Sequence, residues 1–174
     1  MCRVKNFSTK LALLLLILGV SLSHAITSIP INGIKASATL PDYGQNTFRP
    51  ENMVMKNYVH PFYQVWSAKY KEKPITQEFL VEAQRLDQIT LYNGFMRDSA
   101  SYVNNSLAKT IKIYKNTTDS LVKVTTLAKP KWHGYQDPYS DIILFERPLK
   151  NVVKIIIEID DIYPGKIHPN VCNF

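Results

Sequence analysis

Cysteine is nearly absent from this sequence, with only Cys2 and Cys172 among 174 residues. Cys2 lies in an N-terminal segment that we expect to be removed, so the mature chain has no partner for an intrachain disulfide. No cysteine directly follows Ala25, which removes the usual acceptor for acylation at a new N-terminus. We interpret Cys172, between Val171 and Phe174, as a buried strand thiol; an intermolecular bridge or a reactive group is the alternative.

The motifs on which many enzymes depend are also missing. The sequence has no glycine-rich phosphate loop and no paired nucleophile and base. His60, His133 and His168 lie far apart, and none has a partner at metal-ligand spacing, so we expect no metal site. We interpret Asp160 and Asp161 as a solvated turn after a strand rather than as catalytic carboxylates. We therefore expect a protein that binds a ligand without a cofactor and catalyses nothing.

Only one long apolar run is present, at residues 11–22, and it falls short of the roughly 20 residues that a membrane-spanning helix requires. It follows Arg3, Lys5 and Lys10 and closes on Ser23-His24-Ala25, so the three regions of a signal peptide are in order. We predict a cleavable signal peptide at residues 1–25 and a secreted or periplasmic protein without a membrane span. An uncleaved anchor is the alternative.

Cleavage leaves residues 26–174, a length that supports one domain burying about 68–70% of its unfolded surface. Of the 21 basic residues, three lie in the signal peptide, which leaves 18 basic and 14 acidic residues and a net charge of +4 in the mature chain. These charges are scattered, so they suit contact with acidic surfaces without identifying any. Nucleic acid is not expected as a partner of an exported protein.

Alternation with a period of two dominates the second half of the chain and is clearest in Val153, Ile155, Ile157 and Ile159. Short strands without a long helix favour an all-β fold, a jelly-roll β-sandwich. The strands are predicted at residues 34–39, 76–82, 86–93, 109–116, 120–127, 141–146, 152–160 and 171–174.

The predicted connections fall into two classes of length. Those at residues 83–85, 117–119 and 147–151 are tight, and those at residues 40–75, 94–108, 128–140 and 161–170 are long. Antiparallel neighbours alternate in direction, so by parity all four long connections emerge at the same end of the sandwich. Long loops on a rigid scaffold are where binding usually occurs, so we expect the ligand site there.

Several motifs carry a family resemblance: residues 89–95 (ITLYNGF), 102–106 (YVNNS) and 111–114 (IKIY), then residues 155–165 and Val171-Cys172. With these, the chain from residue 86 to residue 174 resembles the glycan-binding (translocation) domain of bacterial secreted NAD glycohydrolases, a branch of the discoidin, or coagulation-factor type C, superfamily. Residues 36–40, residues 48–52 and Trp66 resemble the superfamily's opening segment. The resemblance implies a galactose-binding-domain-like jelly roll, glycan binding, and a core position for Trp66.

The chain also departs from this pattern. Where relatives carry an Asp-Gly-Asn turn that helps to bind a structural calcium, it has Met55 and Lys56, which cannot replace hard oxygen ligands. We therefore predict that the fold needs no calcium. The acidic, glycine-rich segment that often follows the family's tryptophan is absent after Trp66, and the usual acidic finish is replaced by Asn173-Phe174.

Aromatic clusters supply the candidate ligand-binding residues. Flat rings stack on the apolar faces of sugars, while His, Gln and Asp side chains bond hydroxyls. The alternative is a structural role, in which the same rings cover the end of the core. The candidates are Trp132, His133, Tyr135, Asp137 and Tyr139 in one long loop, His60 and Tyr63 with Tyr58 and Phe62 in another, and Tyr102.

Two functions remain open on this reasoning. The first is an exported, non-catalytic, lectin-like module that binds a glycan or glycoconjugate at the long-loop end. The second is a protein–protein adaptor that uses the same scaffold after losing its sugar site.

Overall fold

The computed structural model describes residues 28–44, 47–53, 65–70, 75–94, 98–129, 131–132 and 140–173. The predicted signal peptide lies outside the described residues. The elements in chain order are β1 (Gly33–Ala36), a 3₁₀ turn (Pro50–Met53), β2 (Ser67–Lys69), β3 (Ile75–Tyr92), α1 (Ser99–Asn104), β4 (Asn105–Lys115), β5 (Leu121–Thr126), β6 (Ser140–Tyr163) and β7 (His168–Asn173).

The strands form one curled sheet in the order β1-β3-β6-β4-β7-β2, with β5 paired to β4 outside that path. All neighbours are antiparallel except β4 and β7, which run parallel over a short stretch. The long ladder between β3 and β6 joins β1 and β3 to the remaining strands of the sheet. The all-β prediction is confirmed, and no described helix is long and apolar enough to cross a membrane.

The core is built from the inward faces of β3, β4 and β6. Ile155, Ile157 and Ile159 are at most 3% exposed, as their alternation predicts. Val153 does not join them: it is 57% exposed and Val152 is 1% exposed. The inward positions shift by one residue between Val152 and Ile155, where the β3–β6 ladder changes register between Leu80 and Ala83.

Trp66 and Cys172 both lie in this core with no exposed surface. The Trp66 indole donates a hydrogen bond to the carbonyl of Ala38 at 3.1 Å, so its polar atom is satisfied inside the fold. Burial raises the pKa of the Cys172 thiol to about 12. The core position of Trp66 and the interpretation of Cys172 as a buried strand thiol are confirmed.

Two of the predicted tight turns are wrong. Residues 83–85 lie inside β3 and residues 147–151 inside β6, so each pair of predicted strands is one long strand. Both strands bend where the turns were predicted: β3 at Glu82, with a φ of +43°, and β6 at Asn151. The ladder changes register between Leu80 and Ala83 and again between Leu86 and Gln88. Bulges of this kind bend a strand without ending it.

Asp160 and Asp161 do not form a turn, contrary to the sequence interpretation. Both belong to β6. Lys112 of β4 donates to Asp160 at 2.6 Å and to Glu158 at 3.2 Å, and Lys109 pairs with Asp161. The acidic pair therefore fastens β6 to β4 along the outer side of the sheet.

Candidate functional site

The connections that follow β3, β5 and β6 meet around the start of β4. The Asn93 side chain, just after β3, donates to the carbonyl of Ala108 at 2.8 Å and accepts from its amide at 2.9 Å. Leu127, just after β5, donates its amide to the carbonyl of Lys109, and the Tyr163 hydroxyl at the end of β6 donates to the carbonyl of Leu127. We call this region, residues 93–94, α1, residues 127–129, 131–132 and 163–167, the loop edge.

The contacts thus bring together the described ends of three of the four long connections predicted to share one end. Of the fourth, residues 40–75, the structure describes residues 40–44, 47–53, 65–70 and 75. Its Tyr70 amide donates to the carbonyl of Asn170, the last residue of the predicted 161–170 connection, at 2.7 Å.

The short helix α1 places Tyr102 at the loop edge. Asp98 caps its N-terminus, accepting the Ser101 amide at 2.6 Å, and the Asn105 side chain donates to the Ser101 carbonyl at 2.8 Å. Both ends of this six-residue helix are therefore held by side chains. Tyr102, one of the predicted binding residues, is 4% exposed as a result.

Gly94 makes room for the Tyr102 ring. Its φ is +114°, and a Cβ built on it would lie 2.6 Å from Leu107 Cδ2 and 2.7 Å from Tyr102 Cε2. Real Cβ atoms do not approach so closely, and that φ already disfavours any side chain. Only glycine at position 94 lets Tyr102 pack against the beginning of β4.

Trp132 lies on Tyr102, and the structure brings these two predicted site residues together. Their ring centroids are 5.5 Å apart and the rings are tilted by 48°. This geometry falls within the favourable range for aromatic pairs. Tyr102 is buried while Trp132 is half-buried, so the pair forms a ring platform with a supported indole at the surface. We call it the Tyr102–Trp132 platform.

Charged groups hold the end of β6 and the residues after β5. The Lys129 ammonium lies 5.4 Å from the centroid of the Tyr163 ring, a cation–π contact. Lys109 pairs with Asp161, and its hydrogen bond, together with that of the Ile162 amide, lowers the pKa of the Asp161 carboxyl. The same bond raises the pKa of Lys109, so both groups stay charged near neutral pH. These contacts fix the end of β6 against β4 and against the residues that follow β5.

The remaining predicted binding residues lie outside the described residues and stay predictions: His133, Tyr135, Asp137, Tyr139, His60 and Tyr63. Met55 and Lys56, on which the prediction of a calcium-independent fold rests, also lie outside them. His168 is described and lies exposed at the start of β7. Across the described ranges, no three His, Cys, Asp or Glu side chains come together in a way that could hold a metal ion.

Sequence reasoning missed Gly94, Lys129 and Tyr163 as parts of this site. Gly94 and Tyr163 both lie within the motifs that carried the family resemblance, which was the available signal. Lys129 had none, because its contact with Tyr163 depends on the pairing of β4 with both β5 and β6. The described groups offer flat apolar rings and a fixed ammonium, which suit binding.

Comparison with known proteins concerns the fold of the chain. Residues 27–172 match the model of the NAD glycohydrolase translocation F5/8 type C domain. The fold is similar to the structure of the CBM32-1 and CBM32-2 domains from Clostridium perfringens ZmpB, with a TM-score of 0.54 and 17% identity. It is also similar to the family 32 carbohydrate-binding module from Streptococcus pneumoniae EndoD, with a TM-score of 0.52 and 10% identity.

The match with the Clostridium perfringens structure covers 82% of this chain and 32% of that one, so this chain spans about a third of it. The match with the Streptococcus pneumoniae module covers 84% and 99%. At these identities the likeness concerns the fold, and it confirms the galactose-binding-domain-like jelly roll. No curated protein matches the chain.

Proposed function

The chain belongs to the NAD glycohydrolase translocation F5/8 type C domain family, and from this we propose that it is an exported, non-catalytic carbohydrate-binding module. Its ligand is a glycan or glycoconjugate, bound at the loop edge. The observation that carries the proposal is the Tyr102–Trp132 platform, where a buried ring supports a half-buried one beside the convergent loops.

The platform suits a sugar because the C–H face of a pyranose packs on a flat ring. Its rigidity matters, since a ring already held in one orientation loses little conformational entropy when the ligand arrives. Tyr102 is held by α1 and by its contact with Gly94, so Trp132 rests on a fixed support. In our proposal, His133, Tyr135, Asp137 and Tyr139 supply hydrogen bonds to hydroxyls, and His60 and Tyr63 close the site from the first long loop.

In this proposal, residues 1–25 direct export of the chain and are then removed. Signal peptidase accepts small residues at its cleavage site, and Ser23-His24-Ala25 supplies them. Intact-mass analysis of the exported protein is expected to show Ile26 as the first residue. A mature protein that retained Met1 would contradict this part of the proposal.

A glycan array probed with the chain tests the binding function. We expect saturable binding to at least one glycan, lost in Trp132→Ala. Leu121→Ala serves as the control: Leu121 is also an exposed apolar residue, at 51%, but it lies beyond the 116–120 turn, at the start of β5. A blank array from a folded chain would overturn the proposal and favour the protein–protein adaptor.

A further inference from the structure

A cavity lies away from the loop edge, where β3 and β6 bend. The described residues contain three non-glycine residues with positive φ, and all three belong to this region: Glu82, Asn116 and Asn151. Asn116 holds the region together, because its side-chain oxygen accepts the amides of Val153 at 2.9 Å and Lys154 at 3.1 Å. Its side-chain nitrogen donates to the carbonyl of Asn151 at 3.3 Å.

The cavity has a volume of about 370 Å³, within the range of small-ligand sites. It opens between β1, β3 and β6. Leu80 and Val153, which are 39% and 57% exposed, provide an apolar wall. We call it the bend cavity, and its lining residues are Lys35, Glu78, Leu80, Asn116, Val153 and Lys154.

The charges of the bend cavity are unbalanced. The Lys154 ammonium pairs with the Glu78 carboxylate at 2.9 Å. Lys35 is exposed, and within the described part of the chain no ion pair involves it. Two lysines against one glutamate give the lining a net charge of +1. One ammonium group is therefore available to an incoming anion.

We infer that the bend cavity is a second ligand site that takes one carboxylate carried on a small, partly apolar group. The single available ammonium matches a monoanion, and a dianion such as phosphate would leave one charge uncompensated. The wall formed by Leu80 and Val153 matches the apolar part of the ligand. An acidic sugar and an acidic amino-acid side chain share this chemistry. The inference does not depend on glycan binding at the loop edge.

Backbone ¹⁵N NMR of the chain provides the test. Val153 and Lys154 line the cavity, and their amides bond to the side chain of Asn116, another lining residue, so these amides report on an occupant. We expect their shifts to move with glucuronate or with N-acetylglutamate amide, and not with glucose or N-acetylglutamine amide. The acid that binds more tightly identifies the source, and equal binding shows that the carboxylate itself is recognised. If neither acid moves these amides, or if glucose moves them equally, the inference is overturned.

Two variants with opposite expected effects sharpen the test. Lys35→Gln removes the available ammonium and is expected to weaken binding of the acid about two- to fivefold, the range of one exposed ion pair. Glu78→Gln frees the Lys154 ammonium and is expected to strengthen binding. Lys69→Gln and Glu146→Gln, at exposed positions outside the bend cavity and the loop edge, change the net charge equally and should have no effect.

Trp132→Ala should also leave this binding unchanged, which separates the bend cavity from the loop edge. Equal weakening by Lys35→Gln and Lys69→Gln would show an unspecific effect of net charge and overturn the inference. Weakening by Glu78→Gln, with the melting temperature unchanged, would do the same.

Discussion

Gly165→Ala is expected to be among the most destabilising small substitutions in this protein. A Cβ at this position would meet the Asn104 carbonyl oxygen and the Asn105 carbonyl carbon, and would lie 2.6 Å from the Asn105 carbonyl oxygen. All three are backbone atoms, so no side chain can turn away to relieve the clash. The Gly165 amide also donates to the Ser106 hydroxyl at 3.1 Å. The β6–β7 connection must therefore move away from the end of α1.

The expected cost follows from the kind of atom involved. Overpacking costs about 1–3 kcal/mol, and a rigid backbone neighbour places Gly165→Ala near about 3 kcal/mol. For a domain of this size, that lowers the melting temperature by about 6–12 °C. The same shift displaces α1, so Tyr102 and the platform should lose ligand affinity as well.

Thermal unfolding of Gly165→Ala beside Gly33→Ala measures this effect. Gly33 is the control because its nearest neighbour is a side-chain atom, Leu80 Cδ1 at 3.2 Å, which can turn aside. Alanine also fits a strand better than glycine, so Gly33→Ala is expected to be neutral or slightly stabilising. A Gly165→Ala protein that melts within about 2 °C of the wild type, below the shift of 1 kcal/mol, would refute the clash argument.

Three further predictions concern single groups. Trp132→Ala should remove glycan binding at a cost well below the roughly 3–5 kcal/mol of a core tryptophan, by denaturant unfolding; a full core cost would place Trp132 in the core. The Cys172 thiol should resist alkylation at pH 8 until the chain unfolds, because burial raises its pKa to about 12; rapid labelling of the folded chain would contradict its burial. The hydrogen bond from Lys109 lowers the pKa of Asp161 below its ordinary 3.8. The ionised carboxylate therefore stabilises the fold fully above pH 3.8, and this stabilisation is lost as the pH falls through the lowered pKa. As the pH is lowered from above 3.8 to below it, the melting temperature should fall more steeply for the wild type than for Asp161→Asn. Asp119→Asn is the control. Parallel curves for the wild type and Asp161→Asn would contradict a contribution of Asp161 to this pH dependence.

Sequence patterns predicted the strands well where one side of a strand faces the core. The alternation of Ile155, Ile157 and Ile159 is preserved because each inward side chain buries apolar surface, although Ile156 between them is also buried, at 2% exposed. The same rule could not predict the bends. Residues 84–85 are polar and charged, and residues 147–151 add Pro148 and Asn151, but a bulge within a strand can have the same composition as a turn between two strands.

The site was harder to predict than the fold because its contacts join distant parts of the chain. The aromatic composition of the segment after Trp132 suggested stacking, and the pairing of Trp132 with Tyr102 depends on how α1 is placed against β4. Tyr102 was selected as a binding residue, and the structure gives it a buried position beneath the half-buried Trp132. Support by a second ring cannot be inferred from spacing, since 30 residues separate the two.

The prediction that long connections share one end does not depend on the two predicted turns that were wrong, for a geometric reason. Straight strands of 18 and 24 residues would extend about 60 and 80 Å at about 3.3 Å per residue. A domain of about 150 residues has a radius of gyration near 15 Å, so neither strand fits within it unless it folds over. The positive φ values at Glu82 and Asn151, with the register shifts of the ladder, mark where each strand can fold over, so a bend within a strand meets the same geometric need as a turn between two strands.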